Sequence, residues 1–224
     1  MKNINKKTAF VVAFVVVAVC VVVPFIVHSE NTAHIEGMKV VIDAGHGGFD
    51  GGVVSSNGVR ESDINLMIAR HLERQLTRHG ISVVMTRRDR GAIADTKKAD
   101  MAKRAEIART ADAEMLVSIH TNKYSDTNRR GVQVFYDDTG KWSRYGTGMQ
   151  NIMNEYINKR YSGRSDLSSL GGDYFMTKCV DVPSIIVECG FISNSEDAAL
   201  LVDESYQEEL AHYIALGIES MLML

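Results

Sequence analysis

Two hydrophobic periods alternate along this chain. Residues 40–42, 81–86, 115–119 and 184–187 are short apolar runs rich in β-branched side chains, the pattern of buried strands. Between them, residues 62–79 carry Ile64, Met67, Ile68, Leu72 and Leu76 at helical spacing, and Gly80 supplies a stop. Thr96 is placed to cap a helix running to about residue 110, with Met101, Ala105 and Ala108 on its apolar face. Residues 142–158 and 205–222 predict two longer helices, and Ser195 begins a short helical turn. Residues 132–136 alternate and predict an edge strand, and residues 174–176 a further short one. The Ser/Gly stretch at 162–172 reads as a loop at the rim of a substrate groove. Strands alternating with helices predict an α/β sandwich with a largely parallel sheet.

The N-terminus follows neither period. Lys2, Lys6 and Lys7 precede an unbroken apolar run over residues 9–27. At ~1.5 Å per residue this spans about 29 Å, close to the ~30 Å of bilayer hydrocarbon. Residues 1–29 therefore read as a membrane anchor, with cleavage after Val27-His28-Ser29 as the alternative. Either way the positive flank stays inside and the rest is exported. Cys20 does not make a lipidation site, because the apolar run continues past it and Val19 is bulky. Residues 30–37 form a short polar tether, leaving residues 38–224 as one domain.

Composition narrows the class. The chain has 224 residues, 45% hydrophobic and 24% charged, an ordinary globular balance, and its two prolines exclude a Pro-rich linker. Net charge is −3, and the lysines of the first 29 residues face no acid there, so the exported part is more acidic still. An acidic domain without a basic stripe argues against nucleic-acid binding. Cys20, Cys179 and Cys189 show no CxxC spacing and are too few for a disulfide framework. Cys179 and Cys189 read as buried small hydrophobes, with pairing between them left open.

The chemistry gathers where apolar runs end. Asp43 leads from the first strand into a turn with five glycines between positions 45 and 52 and one histidine, His46. No Gly-Lys-Ser/Thr follows, and Asp50 stands where the third glycine of a dinucleotide fingerprint belongs, so phosphate is a poor ligand. His120 and Glu188 stand at the ends of two further apolar runs, and Glu61 opens the first helix after the glycine turn. Two imidazoles and a carboxylate with an open fourth position are the donors of a hydrolytic zinc site. A second carboxylate is then needed to carry a proton to the leaving amine, and Glu188 has that chemistry. No HExxH-type motif is present, and a turn histidine capping backbone groups stays open for His46. A thiol hydrolase built on Cys189 and His120 is another reading, disfavoured because adjacent strand residues face opposite ways. Arg87 and Arg104 read as partners of structural carboxylates, with a substrate carboxylate as the alternative. Tyr174 and Phe175 line either a groove or the core. His71, His79 and His212 read as exposed or helix-end residues without a metal role.

Four blocks together resemble the zinc-dependent N-acetylmuramoyl-L-alanine amidases: Asp43-Ala-Gly-His46-Gly-Gly, Glu61, Ser118-Ile-His120-Thr-Asn122, and Val187-Glu188-Cys-Gly-Phe191-Ile-Ser-Asn194. The resemblance runs from about residue 38 to the end. Ala44 stands where the family usually has proline, and Cys189 follows the glutamate; neither touches a ligand position. The resemblance implies one zinc ion on His46, Glu61 and His120, Glu188 as the catalytic carboxylate, and a phosphorylase/hydrolase-like three-layer sandwich. It implies cleavage of the amide between N-acetylmuramic acid and L-alanine in peptidoglycan, with Asn122 orienting a ligand or bonding substrate. A non-catalytic peptidoglycan-binding module on the same fold is the rival reading, opposed by the intact four residues. The short plan with an N-terminal segment is similar to the germination-specific amidases of endospore formers. That likeness implies work on spore cortex leading to muramic-δ-lactam, outside the cytoplasmic membrane around the forespore, with a regulatory protein partner left open.

Overall fold

The computed structural model describes residues 35–55 and 58–224. The expected anchor at 1–29 lies outside the described residues, and among these no helix is long and apolar enough to cross a membrane. In chain order the elements are β1 (Lys39–Ala44), α1 (Glu61–Arg78), β2 (Ser82–Met85), α2 (Lys97–Thr110), β3 (Met115–Asn122) and β4 (Gln133–Asp137). Then come α3 (Ser143–Met153), β5 (Leu170–Gly172), α4 (Phe175–Lys178), β6 (Ser184–Phe191), α5 (Ser195–Leu201) and α6 (Glu204–Leu222).

The six strands form one sheet in the order β2-β1-β3-β6-β4-β5. Every neighbouring pair is parallel except β4 with β6, which is antiparallel. Alternation along the strands assigns the two faces. Val40, Ile42, Val117, Ile119, Ile185 and Val187 belong to the larger core, which also takes Ile64, Ile68, Leu72 and Leu76 of α1 and Leu210, Ile214 and Ile218 of α6. Burying each such side chain stabilises the fold by about 1.5–3 kcal/mol. The opposite face holds a smaller cluster, Val41 and Leu116 under Ala105, Ala108 and Met176. Asp43, Ser118, His120 and Glu188 alternate with core residues onto this second face. The small cluster covers only part of it, and the polar end stays open.

Two helix boundaries agree with the sequence. Thr96 caps α2 by accepting from Ala99 N, and Gly80, at φ +80°, follows the end of α1. Three expectations change. Residues 132–136 are not an edge, because β5 pairs outside β4; that strand reads Leu-Gly-Gly and carries no apolar alternation to announce it. Residues 174–176 are not a strand. Tyr174 N turns back onto the Gly172 carbonyl, and Tyr174 begins the short helix α4. Residues 142–158 are α-helical only to Met153, after which Asn154–Asn158 widen into a π-turn.

That helix also explains how β4 begins. Gln150 and Asn158 bond the backbone of Val132 and Val134, where β5 does not reach, and Asn154 holds Leu167 at both its N–H and its carbonyl. The side-chain amides stand in for a missing strand.

Candidate active site

The glycine turn is held from three sides before it presents His46. Glu61 N and Ser62 N, two unpaired donors of the first turn of α1, bond the carbonyls of Val53 and Gly51. This pulls the helix start back beneath the turn. Arg87 donates to the carbonyls of Ala44, Gly45, Ser62 and Asp89. Arg104 donates to Asp43, Asp100 and the carbonyls of Ala44 and His46. Both arginines are buried and have four bonds each, so they are scaffold and the substrate-contact reading falls. Arg87 bonds carbonyls rather than a structural carboxylate, which corrects the other half of its expectation. Asp43 is completed by Thr86 and Ser118. Burial alone would raise its pKa, but Arg104 and the two hydroxyls hold it below the usual range. Removing one partner of such a buried pair costs about 3–5 kcal/mol.

His46 itself sits at φ +61°, a left-handed conformation uncommon for a non-glycine residue. Strain of this kind persists where the surroundings impose it. Its Nδ1 lies 3.0 Å from Asp50 Oδ1, which leaves Nε2 facing Glu61 Oε1 at 3.3 Å. His120 Nδ1 is 3.1 Å from the same Glu61 oxygen. The donor atoms of His46, Glu61 and His120 all lie within 4.8 Å of one another. Glu61 is 4% exposed and the imidazoles 21% and 22%, so the cluster is closed below and open above. Burial opposes ionisation of Glu61, yet bonds from His120 and His46 hold its carboxyl well below the usual range. Gly52, at φ +65°, lies so close to Glu61 Oε2 that a Cβ there would stand 2.5 Å from it.

Glu188 pairs in register with His120 across β3 and β6. The strand runs on to Phe191, so Glu188 is a mid-strand residue and not, as its pattern predicted, a strand end. Its Oε2 is buried without a hydrogen-bond partner. Burial pushes its carboxyl up to about 7, Glu61 adds to this, and the two imidazoles work against it. A carboxyl poised there can both take and give a proton near neutrality. Cys189 points the other way, fully buried in the larger core with its thiol pushed well up by burial, so the thiol-hydrolase reading is excluded. Cys179 and Cys189 are both free.

Asn122 stands half-buried two residues beyond His120, its carbonyl bonded by Ile192 N. Tyr174 packs edge-on against Phe135, and Phe175 is exposed. A cavity of about 210 Å³ opens beside the imidazoles, walled by Phe49, Met101 and Met176 with Lys97 at its edge. His71 corrects its expectation of exposure: it is buried, with Nδ1 2.6 Å from Arg74. His71, Glu204 and Glu208 also converge, but the Arg74 guanidinium occupies that imidazole nitrogen and opposes a cation. His79 contacts Glu219, and His212 is exposed. Asp50 was readable from the sequence only as a carboxylate hostile to phosphate; in a glycine turn its four-residue offset from His46 does not announce the contact that the same offset would on a helix.

A parallel-rich α/β sheet with His, His and Glu donors and the half-buried Glu188 carboxyl at one open end defines a hydrolase-type candidate metal centre. The donor set, two nitrogens and one oxygen converging from an open side, fits a zinc ion. The sequence matches the family model of N-acetylmuramoyl-L-alanine amidases over residues 40–220, and the chain belongs to that family. It is 30% identical over 192 residues to the germination-specific N-acetylmuramoyl-L-alanine amidase of Bacillus subtilis, covering 82% of this chain and 79% of that one. An uncharacterized protein of the same organism, YqiI, is 33% identical over 189 residues, covering 83% and 85%. The CwlD amidase of Clostridioides difficile, solved in complex with the GerS lipoprotein, has the same fold at a TM-score of 0.76 and 30% identity, covering 84% of this chain and 99% of that one.

Proposed function

We propose that this chain is a zinc-dependent amidase that cleaves the bond between N-acetylmuramic acid and L-alanine. The observation that carries the reading is the convergence of His46 Nε2, Glu61 Oε1 and His120 Nδ1 beside the unpartnered Glu188 carboxyl. His46, Glu61 and His120 would hold the zinc ion, which when bound would supply Lewis acidity at this end of the sheet. Asp50 and the Glu61 scaffold orient the donors, as outer partners of metal ligands do. Glu188 takes a proton from the attacking water and delivers it to the alanine nitrogen as the C–N bond breaks. The products are a lactyl carboxylate and a free stem peptide.

The test uses the full chain purified in detergent. It is expected to hold about one zinc per chain and to release stem peptide from muropeptides. Chelation should abolish release, and added zinc should restore it. Full activity after thorough zinc removal would overturn the metal role.

We extend the proposal to location and role: an anchor at residues 1–29, a tether at 30–37 and a catalytic domain at 38–224 on the outer face of the cytoplasmic membrane. Kinship with the germination-specific relative supports work on spore cortex around the forespore, towards muramic-δ-lactam. The lipoprotein complex of the Clostridioides difficile amidase supports a regulatory protein partner here as well. Spores of a strain lacking the protein should have cortex depleted of muramic-δ-lactam; an unchanged lactam content would remove the cortex assignment.

A further inference from the structure

The sheet order gives the site a direction. His46 follows β1, His120 lies on β3, Glu188 on β6, and Gln133 on β4, so the row crosses the sheet in that sequence. Gln133 is the antiparallel register partner of Glu188, which puts their side chains on one face with Cβ atoms about 4.5–5.5 Å apart. Gln133 is buried, and its Oε1 accepts from Arg129 Nη2 at 3.0 Å. The Arg129 guanidinium lies over the Tyr124 ring at 4.6 Å and the Phe191 ring at 5.3 Å. It is half-buried, yet no carboxylate among the described residues is within ion-pair distance of it. Its neighbour Arg130, in contrast, pairs with Glu196 and Asp197. A guanidinium held by two aromatic faces and one amide oxygen, with no counter-ion, is a prepared anion site.

Resting on the amidase reading, we infer that the peptide half of the substrate lies over β4 and that Arg129 binds a free carboxylate on it. Glu188 must reach the departing nitrogen, so the leaving peptide starts above β6. The imidazoles and Glu61 occupy the β1–β3 side. The peptide therefore runs on across β4, past Gln133 to Arg129. The acyl half falls on the side of the apolar cavity between Phe49, Met101 and Met176. The second residue of a peptidoglycan stem carries its α-carboxyl either free or as an amide, and a guanidinium separates the two: the carboxylate accepts a paired, charge-assisted bond, whereas the neutral amide accepts at one oxygen and sets its NH2 against the second guanidinium donor.

The experiment compares muropeptides whose second stem residue is free or amidated, with wild type and Arg129→Gln, all as the full zinc-loaded chain. Wild type should favour the free acid. Arg129→Gln should raise KM for the free acid roughly ten- to a hundredfold and leave KM for the amide and both kcat values nearly unchanged. An equal loss on both substrates would show Arg129 to be structural, and no loss on either would show it idle; each overturns the inference. Equilibrium binding of the released dipeptides, acid against amide, separates this claim from the one it rests on. Acid-selective binding that Arg129→Gln abolishes, in a protein that hydrolyses nothing, sinks the amidase reading and keeps the carboxylate site. Turnover without acid preference does the reverse.

Discussion

Glu188→Gln is expected to keep zinc bound and to lower kcat by about a hundred- to ten-thousand-fold. The substitution preserves volume and removes only the ability to take and give a proton. Glu188 is not one of the three converging donors, so metal content should match wild type. The variant should also be the more stable protein once zinc is removed from both. The folded carboxyl stays protonated up to about 7, whereas its ordinary value is 4.5. Between those pH values the folded chain holds a proton that the unfolded chain has lost, so stability falls as pH rises and the penalty is complete above about 7. Glutamine has no such penalty. Its advantage should be absent below about pH 4.5 and reach on the order of 2 kcal/mol above pH 7, after discount for partial solvent screening. Urea unfolding of the zinc-free proteins at both ends of that range measures the difference. A variant that cleaves at the wild-type rate would remove Glu188 from the mechanism.

The sequence made the scaffold legible where side chains face a core. Ile64, Ile68, Leu72 and Leu76 predicted α1 because a helix must bury one stripe, and Val40–Ile42 predicted β1 because a central strand is apolar on both faces. Legibility failed where backbone, not side-chain period, makes the structure. β5 is Leu-Gly-Gly, which has no period, and its absence from the reading turned β4 into a false edge. Residues 174–176 look like a strand because aromatics suit one, yet Tyr174 N bonds back to Gly172 and starts a helix.

The site divides along the same line. His46, Glu61, His120 and Glu188 stand out as polar residues beside apolar runs, and the fold brings all four to one end of the sheet. Of the residues that hold them, Arg104 pairs with the structural carboxylates Asp43 and Asp100 as its pattern predicted, but the four acceptors that each buried arginine serves were hidden, since such an arginine is indistinguishable in sequence from a surface one. Arg104 reaches Asp43 across 61 positions and Arg129 reaches Gln133 across four, and neither bond has a local period.

Gly45→Ala is expected to strike the metal site directly, through the His120 imidazole. An alanine Cβ at Gly45 would stand 2.3 Å from both Cε1 and Nε2 of His120 and 2.7 Å from Nδ1. The far end of a flexible side chain could yield, but this is a ring face, and its Nδ1 is already bonded to Glu61. The backbone of Gly45 cannot retreat cheaply either. Its N–H bonds the Ile119 carbonyl, and its carbonyl accepts from Asn65 and Arg87. Whichever side gives, the His120–Glu61 geometry changes. Zinc affinity should fall by about tenfold to a hundredfold, the loss typical when the support of a ligand is disturbed. Overpacking should cost a further ~1–3 kcal/mol of stability. Gly148→Ala is the control: it lies in α3 with nothing within 4 Å of its Cβ, and it should stabilise by about 0.5–1 kcal/mol through helix propensity. Zinc titration and thermal unfolding of the two variants separate the effects. If Gly45→Ala bound zinc as tightly as wild type, the close approach of the glycine turn to His120 would not be what holds that imidazole in place.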